Sequence, residues 1–183
     1  MFVKKNNNFN KDSYMKSLRK RDNYSIVKGN RRGDRFMFLK PKRRTSDSYG
    51  SGYFGASRGS RKHNGVDLCC DPNSTVCSNV SGTVTKLGYP YADDLSFRYV
   101  QVQDSSNRNH RFYYVNPSVE LNDEIMIGDE IGRSQELGIR YPKNDKRPLG
   151  IQEHVHYEVV VYVDGKKNYL DPNNFLEEED YEI

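Results

Sequence analysis

Beyond residue 60 the chain alternates short apolar runs with polar turns, and no stretch there repeats apolar residues at the helical period. Gly82 to Leu87, Tyr99 to Gln103 (YVQVQ), His110 to Val115 (HRFYYV) and Glu124 to Ile127 each read as strands, and Asp104 to Asn109 (DSSNRN) reads as a polar turn. The strongest strand signal is Val155 to Val163 (VHYEVVVYV), closed by Asp164-Gly165, a dipeptide that suits a tight hairpin. Many short strands with turn residues between them predict a mainly β domain, with a compact antiparallel sheet core. The first part of the chain has a different pattern. Lys11 to Arg21 (KDSYMKSLRKR) predicts a short basic helix, and Arg35 to Leu39 (RFMFL) one strand or a docking segment. The glycines at 29 and 33 and the run Lys40-Pro41-Lys42-Arg43-Arg44 predict an extended or partly disordered arm. A Gly/Ser/Tyr-rich patch, Ser46 to Ser60, leads into the domain.

Charge sharpens this division. Residues 1–47 hold 15 Lys and Arg against 4 Asp and Glu, whereas residues 48–183 hold 14 against 21. The expected organisation is a basic arm at 1–47, an acidic globular domain at 48–177 and an acidic tail at 178–183. At 183 residues the chain can hold one domain with a core, and its mean hydropathy of −0.94 agrees with part of it staying outside that core. With no run of 18 apolar residues, no membrane span is expected. The start, Met1-Phe2-Val3-Lys4-Lys5 followed by three asparagines, lacks the apolar stretch of a secretory signal. The protein is therefore expected to stay where it is made or to be delivered by another route. Cys69, Cys70 and Cys77 are an odd set with an adjacent pair, so free buried thiols are expected; a bridge from Cys77 to Cys69 or Cys70 is the alternative.

Three of the four histidines fall into two short motifs: His63-Asn64-Gly65-Val66-Asp67 and His154-Val155-His156-Tyr157-Glu158. Together they offer two or three imidazoles and a carboxylate, the ligand set of a zinc ion with one coordination position left open. On a strand, residues two apart share a face, so His154, His156 and Glu158 point one way and Val155 and Tyr157 the other. One imidazole of such a pair can bind a metal while the other reaches a neighbouring water. Between His63 and Asp67, Gly65 lets the backbone bend so that one loop presents both side chains.

HNGVDL and HVHYEV resemble the two signature motifs of the lysostaphin-type zinc metallopeptidases, which are peptidoglycan endopeptidases. Asn79 to Val84 (NVSGTV), Val119 to Gly132 (VELNDEIMIGDEIG) and Asp171 to Leu176 (DPNNFL) are similar to further segments of that family, and the likeness covers roughly residues 50–176. The resemblance implies a β core of the duplicated hybrid-motif kind, zinc held by His63, Asp67 and His156, and His154 as the catalytic imidazole that orients or deprotonates water. It implies two further roles near the groove: Tyr114 as a lining residue, and Glu158 as a carboxylate ordering the HxH strand, with a plain surface carboxylate as the other reading of Glu158.

The family carries a second catalytic histidine in a Tyr-x-His segment, and here that segment is Tyr114-Val115-Asn116. Asparagine cannot exchange a proton near neutral pH, and losing a positioned acid or base costs about 10²–10⁴-fold. His110, six residues before Asn116 on what reads as one strand face, would sit roughly 20 Å from it at strand spacing. This departure resembles a non-peptidase, chemotaxin-like branch of the family. Two functions are therefore expected to compete: an endopeptidase cutting peptide cross-links of peptidoglycan, and a catalytically degenerate zinc-bearing module that binds peptidoglycan or another partner. The loop from Gly138 to Gly150 is expected to wall the groove. A wall-directed domain without an export signal fits a bacteriophage virion, as a tail or injected protein, or otherwise the host cytoplasm before delivery. The basic arm would then dock on a phage structural protein or on DNA.

Overall fold

The computed structural model describes residues 41–147 and 149–176. The helix expected at 11–21, the segment at 35–39, the remainder of the arm before residue 41 and the tail at 178–183 lie outside the described residues. Within them the regular structure is almost entirely strand, with 3-10 turns at Leu137–Ile139 and Pro172–Phe175. Two small hairpins come first, β1 (Ser46–Asp47) with β2 (Gly50–Ser51) and β3 (Ser57–Arg58) with β4 (Arg61–Lys62). The body follows: β5 (Val66–Cys69), β6 (Thr75–Cys77), β7 (Gly82–Gly88), β8 (Tyr99–Gln103), β9 (Asn109–Tyr113), β10 (Val115–Pro117), β11 (Glu124–Ile125), β12 (Glu130–Ser134), β13 (His154–Val163) and β14 (Lys166–Leu170).

All the pairings are antiparallel. One sheet runs β11-β7-β8-β9-β13-β14, with β5 also on β13; a second runs β10-β12-β6. Strand β13 organises the first. Along one edge its early residues pair with β5 and its later ones with β14, while β9 pairs along the other edge. Val155, Tyr157 and Val159 alternate into the core, where they meet Val66, Leu68, Val100, Val102 and Phe112, together with Val76, Val115 and Ile131 from the second sheet. Burying one such side chain contributes about 1.5–3 kcal/mol. This packing fixes the register of β13 and turns His154 and His156 to the opposite face. The hairpin after β13 has φ of 51° at Asp164 and 72° at Gly165, the paired positive values that a two-residue turn of this kind needs.

Two sequence expectations change here. The strand expected from His110 to Val115 is broken at Tyr114, whose φ is +64°. The chain leaves β13 after Tyr113 and enters the second sheet at Val115, so the face relation drawn between His110 and Asn116 does not hold. The domain also begins before residue 48. Arg43 bridges Leu68, the Arg44 amide donates to Asp67 O at 2.8 Å, and the Cys69 amide donates to Lys42 O at 2.8 Å, so residues 42–44 run along β5 as part of the body. The three cysteines are free thiols; burial pushes Cys70 up to about 12 and Cys77 up to about 11.

Candidate metal centre

Register places the site. Across the sheet, Asp67 of β5, His156 of β13 and Tyr113 of β9 stand in one row, so the carboxylate and the aromatic ring flank the imidazole on both sides. His63 joins them from the loop after β4, where its amide donates to Ala56 O and its carbonyl accepts from Gly55 N, both at 2.8 Å. The close approach requires Gly65, because a Cβ there would stand 2.3 Å from Tyr157 O and 2.7 Å from His156 Cε1.

The donor atoms converge. His63 Nε2 lies 2.9 Å from His156 Nδ1 and 3.2 Å from Asp67 Oδ1, and His156 Nδ1 lies 2.8 Å from the same oxygen. Each group is oriented from behind. His63 Nδ1 faces the Tyr53 carbonyl at 2.9 Å, so it is the protonated nitrogen and Nε2 is left for the cluster. His156 Nε2 donates to Glu158 Oε1 at 3.2 Å, which turns Nδ1 inward. Asp67 keeps Oδ1 for the histidines while Oδ2 accepts from Arg44 Nε at 3.0 Å and Nη2 at 2.8 Å. These outer partners are the kind that fix a metal ligand's tautomer and direction.

The residues fit a cation. The three donor atoms lie within 4.8 Å of one another, and bonds of about 2.0–2.1 Å to a tetrahedral zinc would place ligand atoms about 3.3 Å apart. Electrostatics agree. Burial penalises the charge of Asp67, yet the facing histidines hold its carboxyl well below the ordinary range. Burial also opposes a charge on His156, but the hydrogen bonds to Asp67 and Glu158 prevail and raise it to about 9.

His154 is placed differently. It is 4% exposed, and its Nε2 stands 3.6 Å from Asp67 Oδ1. Its Nδ1 lies 2.7 Å from the Gln152 carbonyl, which can only accept, so Nδ1 carries the proton and Nε2 presents a lone pair. Burial drops its pKa to about 4 and keeps the ring neutral. Beside it opens a cavity of about 370 Å³, lined by the four residues above, by Arg44, Arg58, Arg61 and Glu158, and by an aromatic wall of Tyr49, Tyr91, Tyr113, Tyr114 and Tyr141. The Tyr114 ring stands edge-on to His154 with centroids 5.6 Å apart. The Tyr91 hydroxyl donates to Tyr114 at 2.9 Å and lies 2.7 Å from that of Tyr141. Of the segment expected to wall the groove, Gly138 to Gly150, Tyr141 lines the cavity, with Ile151 just beyond it.

Of the residues expected from sequence, His63, Asp67, His154, His156, Glu158 and Tyr114 come together, and Asn116 does not. The break at Tyr114 carries Asn116 into the second sheet opposite Arg133, where it is exposed and outside the cavity lining. Glu158 is no surface carboxylate: it is 8% exposed and also accepts from the Tyr113 hydroxyl at 3.2 Å. The sequence reading missed Arg44, 2% exposed in the body and bound to Asp67, because nothing in a run of basic residues distinguishes one buried arginine. It also missed Tyr91 and Tyr141, which only the fold brings to the site.

An antiparallel β core presenting two imidazoles, a carboxylate and a base-competent histidine to one groove defines a metallopeptidase-type domain. The chain belongs to peptidase family M23, whose model matches residues 61–172. Among related proteins, leukocyte cell-derived chemotaxin-2 of Mus musculus is 31% identical over 120 residues, covering 63% of this chain and 71% of that protein. The Bos taurus protein of the same name is 28% identical over 115 residues, with the same coverage of 63% and 71%. Among solved structures, the catalytic domain of the antimicrobial peptidase lysostaphin from Staphylococcus simulans superposes with a TM-score of 0.52 at 18% identity, covering 74% of this chain and 91% of that one. A catalytic-domain mutant of the prophage-encoded M23 protein EnpA from Enterococcus faecalis gives 0.50 at 14% identity, covering 74% and 95%. The fold is thus of the lysostaphin type, and the domain is peptidoglycan endopeptidase-like.

Proposed function

We propose that this chain is a zinc-dependent endopeptidase acting on the peptide cross-links of peptidoglycan, with His63, Asp67 and His156 as metal ligands. The observation that carries this reading is His154: a buried, neutral imidazole whose Nδ1 is pinned by Gln152 O and whose Nε2 faces the same cavity as the three ligands. That nitrogen can accept a proton from water at the metal centre and return it to a leaving amine. When bound, zinc supplies Lewis-acid polarisation of a carbonyl and acidifies water. Arg44 and Glu158 hold Asp67 and His156 in place, and the tyrosines form a wall along which a peptide can lie.

A second reading has its own support. Beyond the three candidate ligands, His154 is the only imidazole lining the cavity among the described residues, and Asn116 faces away from it. This favours a zinc-bearing module that binds a peptide and cuts it slowly or not at all, in keeping with the likeness to the chemotaxins. For delivery we propose a bacteriophage particle whose structural protein or DNA receives the basic arm; mass spectrometry of purified particles tests this. The enzymatic reading is tested by incubating purified sacculi with the full chain, with and without a chelator. Chelator-sensitive release of soluble fragments that His154→Ala abolishes is expected. No release from a zinc-loaded protein would overturn the endopeptidase and leave the binding module.

A further inference from the structure

Two arginines reach Asp67, and they are used in opposite ways. Every nitrogen of Arg44 is engaged: Nε and Nη2 go to Asp67, and Nη1 goes to Asp47 and to Gly50 O. The same is not true of Arg58. Its side chain is only 16% exposed, and its Nη2 stands 3.7 Å from Asp67 Oδ2, too far for a hydrogen bond. Among the described residues its hydrogen bond is Nη1 to the adjacent Ser57 O at 3.5 Å, the outer limit of such a contact. The position is built all the same. Gly50, with φ of +106°, leaves the space that Arg58 fills, since a Cβ there would stand 2.8 Å from Arg58 Nη1. Among the described residues the guanidinium therefore keeps donors that no protein group takes up, and a ligand acceptor in the cavity would meet them.

The charge beside it has the same sense. Arg61, exposed on the same hairpin, lines the same cavity. The two carboxylates there are already engaged, Asp67 with Arg44 and His156, and Glu158 with His156 and Tyr113. Asp67 meets Arg58 only as a longer ion pair at 3.7 Å, because its Oδ2 is already bonded to Arg44. We infer that the cavity selects a carboxylate-bearing peptide, and that Arg58, assisted by Arg61, grips that carboxylate beside the metal centre. The forked, planar donors of arginine match a carboxylate in two-point geometry. On this inference, which rests on the reading of the cavity as a substrate site, the ligand is an acidic peptide rather than a neutral one.

The test uses the zinc-loaded full chain and two probes: a muropeptide-type tetrapeptide with free carboxylates, and the same peptide with its carboxylates amidated. Titration calorimetry on the wild type is expected to favour the acidic probe by about tenfold or more, the measure of one charge-assisted hydrogen-bonded pair. Arg58→Gln should reduce that preference to about twofold or less, and Arg58→Lys should restore part of it, with zinc content unchanged in each. Equal binding of both probes by the wild type, or a preference that survives Arg58→Gln, overturns the inference. If sacculi still release fragments in that case, the endopeptidase reading stands without it. Binding of neither probe by a zinc-loaded protein overturns both.

Discussion

Two carboxylate–histidine centres lie on opposite faces of the same pair of strands, β9 and β13, and they are built from nearly the same residue types. On the core face, His110 Nδ1 lies 2.6 Å from the Tyr157 hydroxyl and Nε2 lies 3.2 Å from Asp104 Oδ2. Asp104 also takes Arg108 Nε at 2.6 Å and the amides of Ser106 and Arg108 at 2.9 Å. On the cavity face, Asp67 gathers His63, His156 and Arg44. The first centre is closed: His110 is fully buried, and both its nitrogens have protein partners. The second is open, since three donor atoms crowd within 4.8 Å of one another and the Nε2 of His154 faces a cavity. The presence of His, Asp, Arg and Tyr therefore does not mark a functional site. Convergence of donors onto a common point with room beside it does.

The comparison can be broken most sharply at its two carboxylates. Asp67→Asn should abolish zinc uptake, measured by metal analysis, and with it any cleavage of sacculi. His154→Ala should retain the metal and lower the cleavage rate about 10²–10⁴-fold, as expected for loss of a general base. Asp104→Ala should do the reverse. It strands a buried histidine hydrogen bond and two amides, so stability falls by about 3 kcal/mol in denaturant titration while zinc content is kept.

The pH responses of the two centres should also differ, on the alkaline side. Burial lowers the pKa of His110, and Asp104 is held low because its hydrogen bonds to His110 and Arg108 outweigh burial. The unfolded chain thus takes up these protons first, near pH 6.5 and then near 3.9, and stability declines on acidification by at most about 1.4 kcal/mol per pH unit per group. His156, raised to about 9, contributes stability that is fully present below about 6.5 and is lost as pH rises through 9. Zinc takes the place of that proton, so zinc loading should remove the alkaline decline and leave the acid one. The smallest effect is expected at Asn116. Although the resemblance at Tyr114-Val115-Asn116 invites Asn116→His as a repair, its exposed position outside the cavity lining predicts an unchanged rate in the sacculus assay.

The sequence made the metal cluster legible because strand alternation and one glycine-containing loop are local rules: they place His154, His156 and Glu158 on one face and bring His63 near Asp67. The β class and the Asp164-Gly165 turn were legible for the same reason. Asn116 misled because one residue, Tyr114 in a left-handed conformation, breaks the alternation and changes the sheet. Arg44, Tyr91 and Tyr141 were illegible because their roles depend on contacts distant in sequence, such as that between Arg44 and Asp67, 23 positions apart.

The bond from Arg44 to Asp67 gives the edge of this domain a chemical definition that composition does not supply. Arg44 belongs by charge to the basic arm, yet it is the counter-ion of the carboxylate at the centre of the groove. A chain trimmed at residue 48 would keep every histidine and every strand from β2 onward. It would leave the buried Asp67 without the guanidinium that holds Oδ2 and turns Oδ1 toward the histidines. A protein shortened in this way is expected to fold, look intact by circular dichroism and still bind metal poorly, for want of an arginine that sequence alone assigns to the arm.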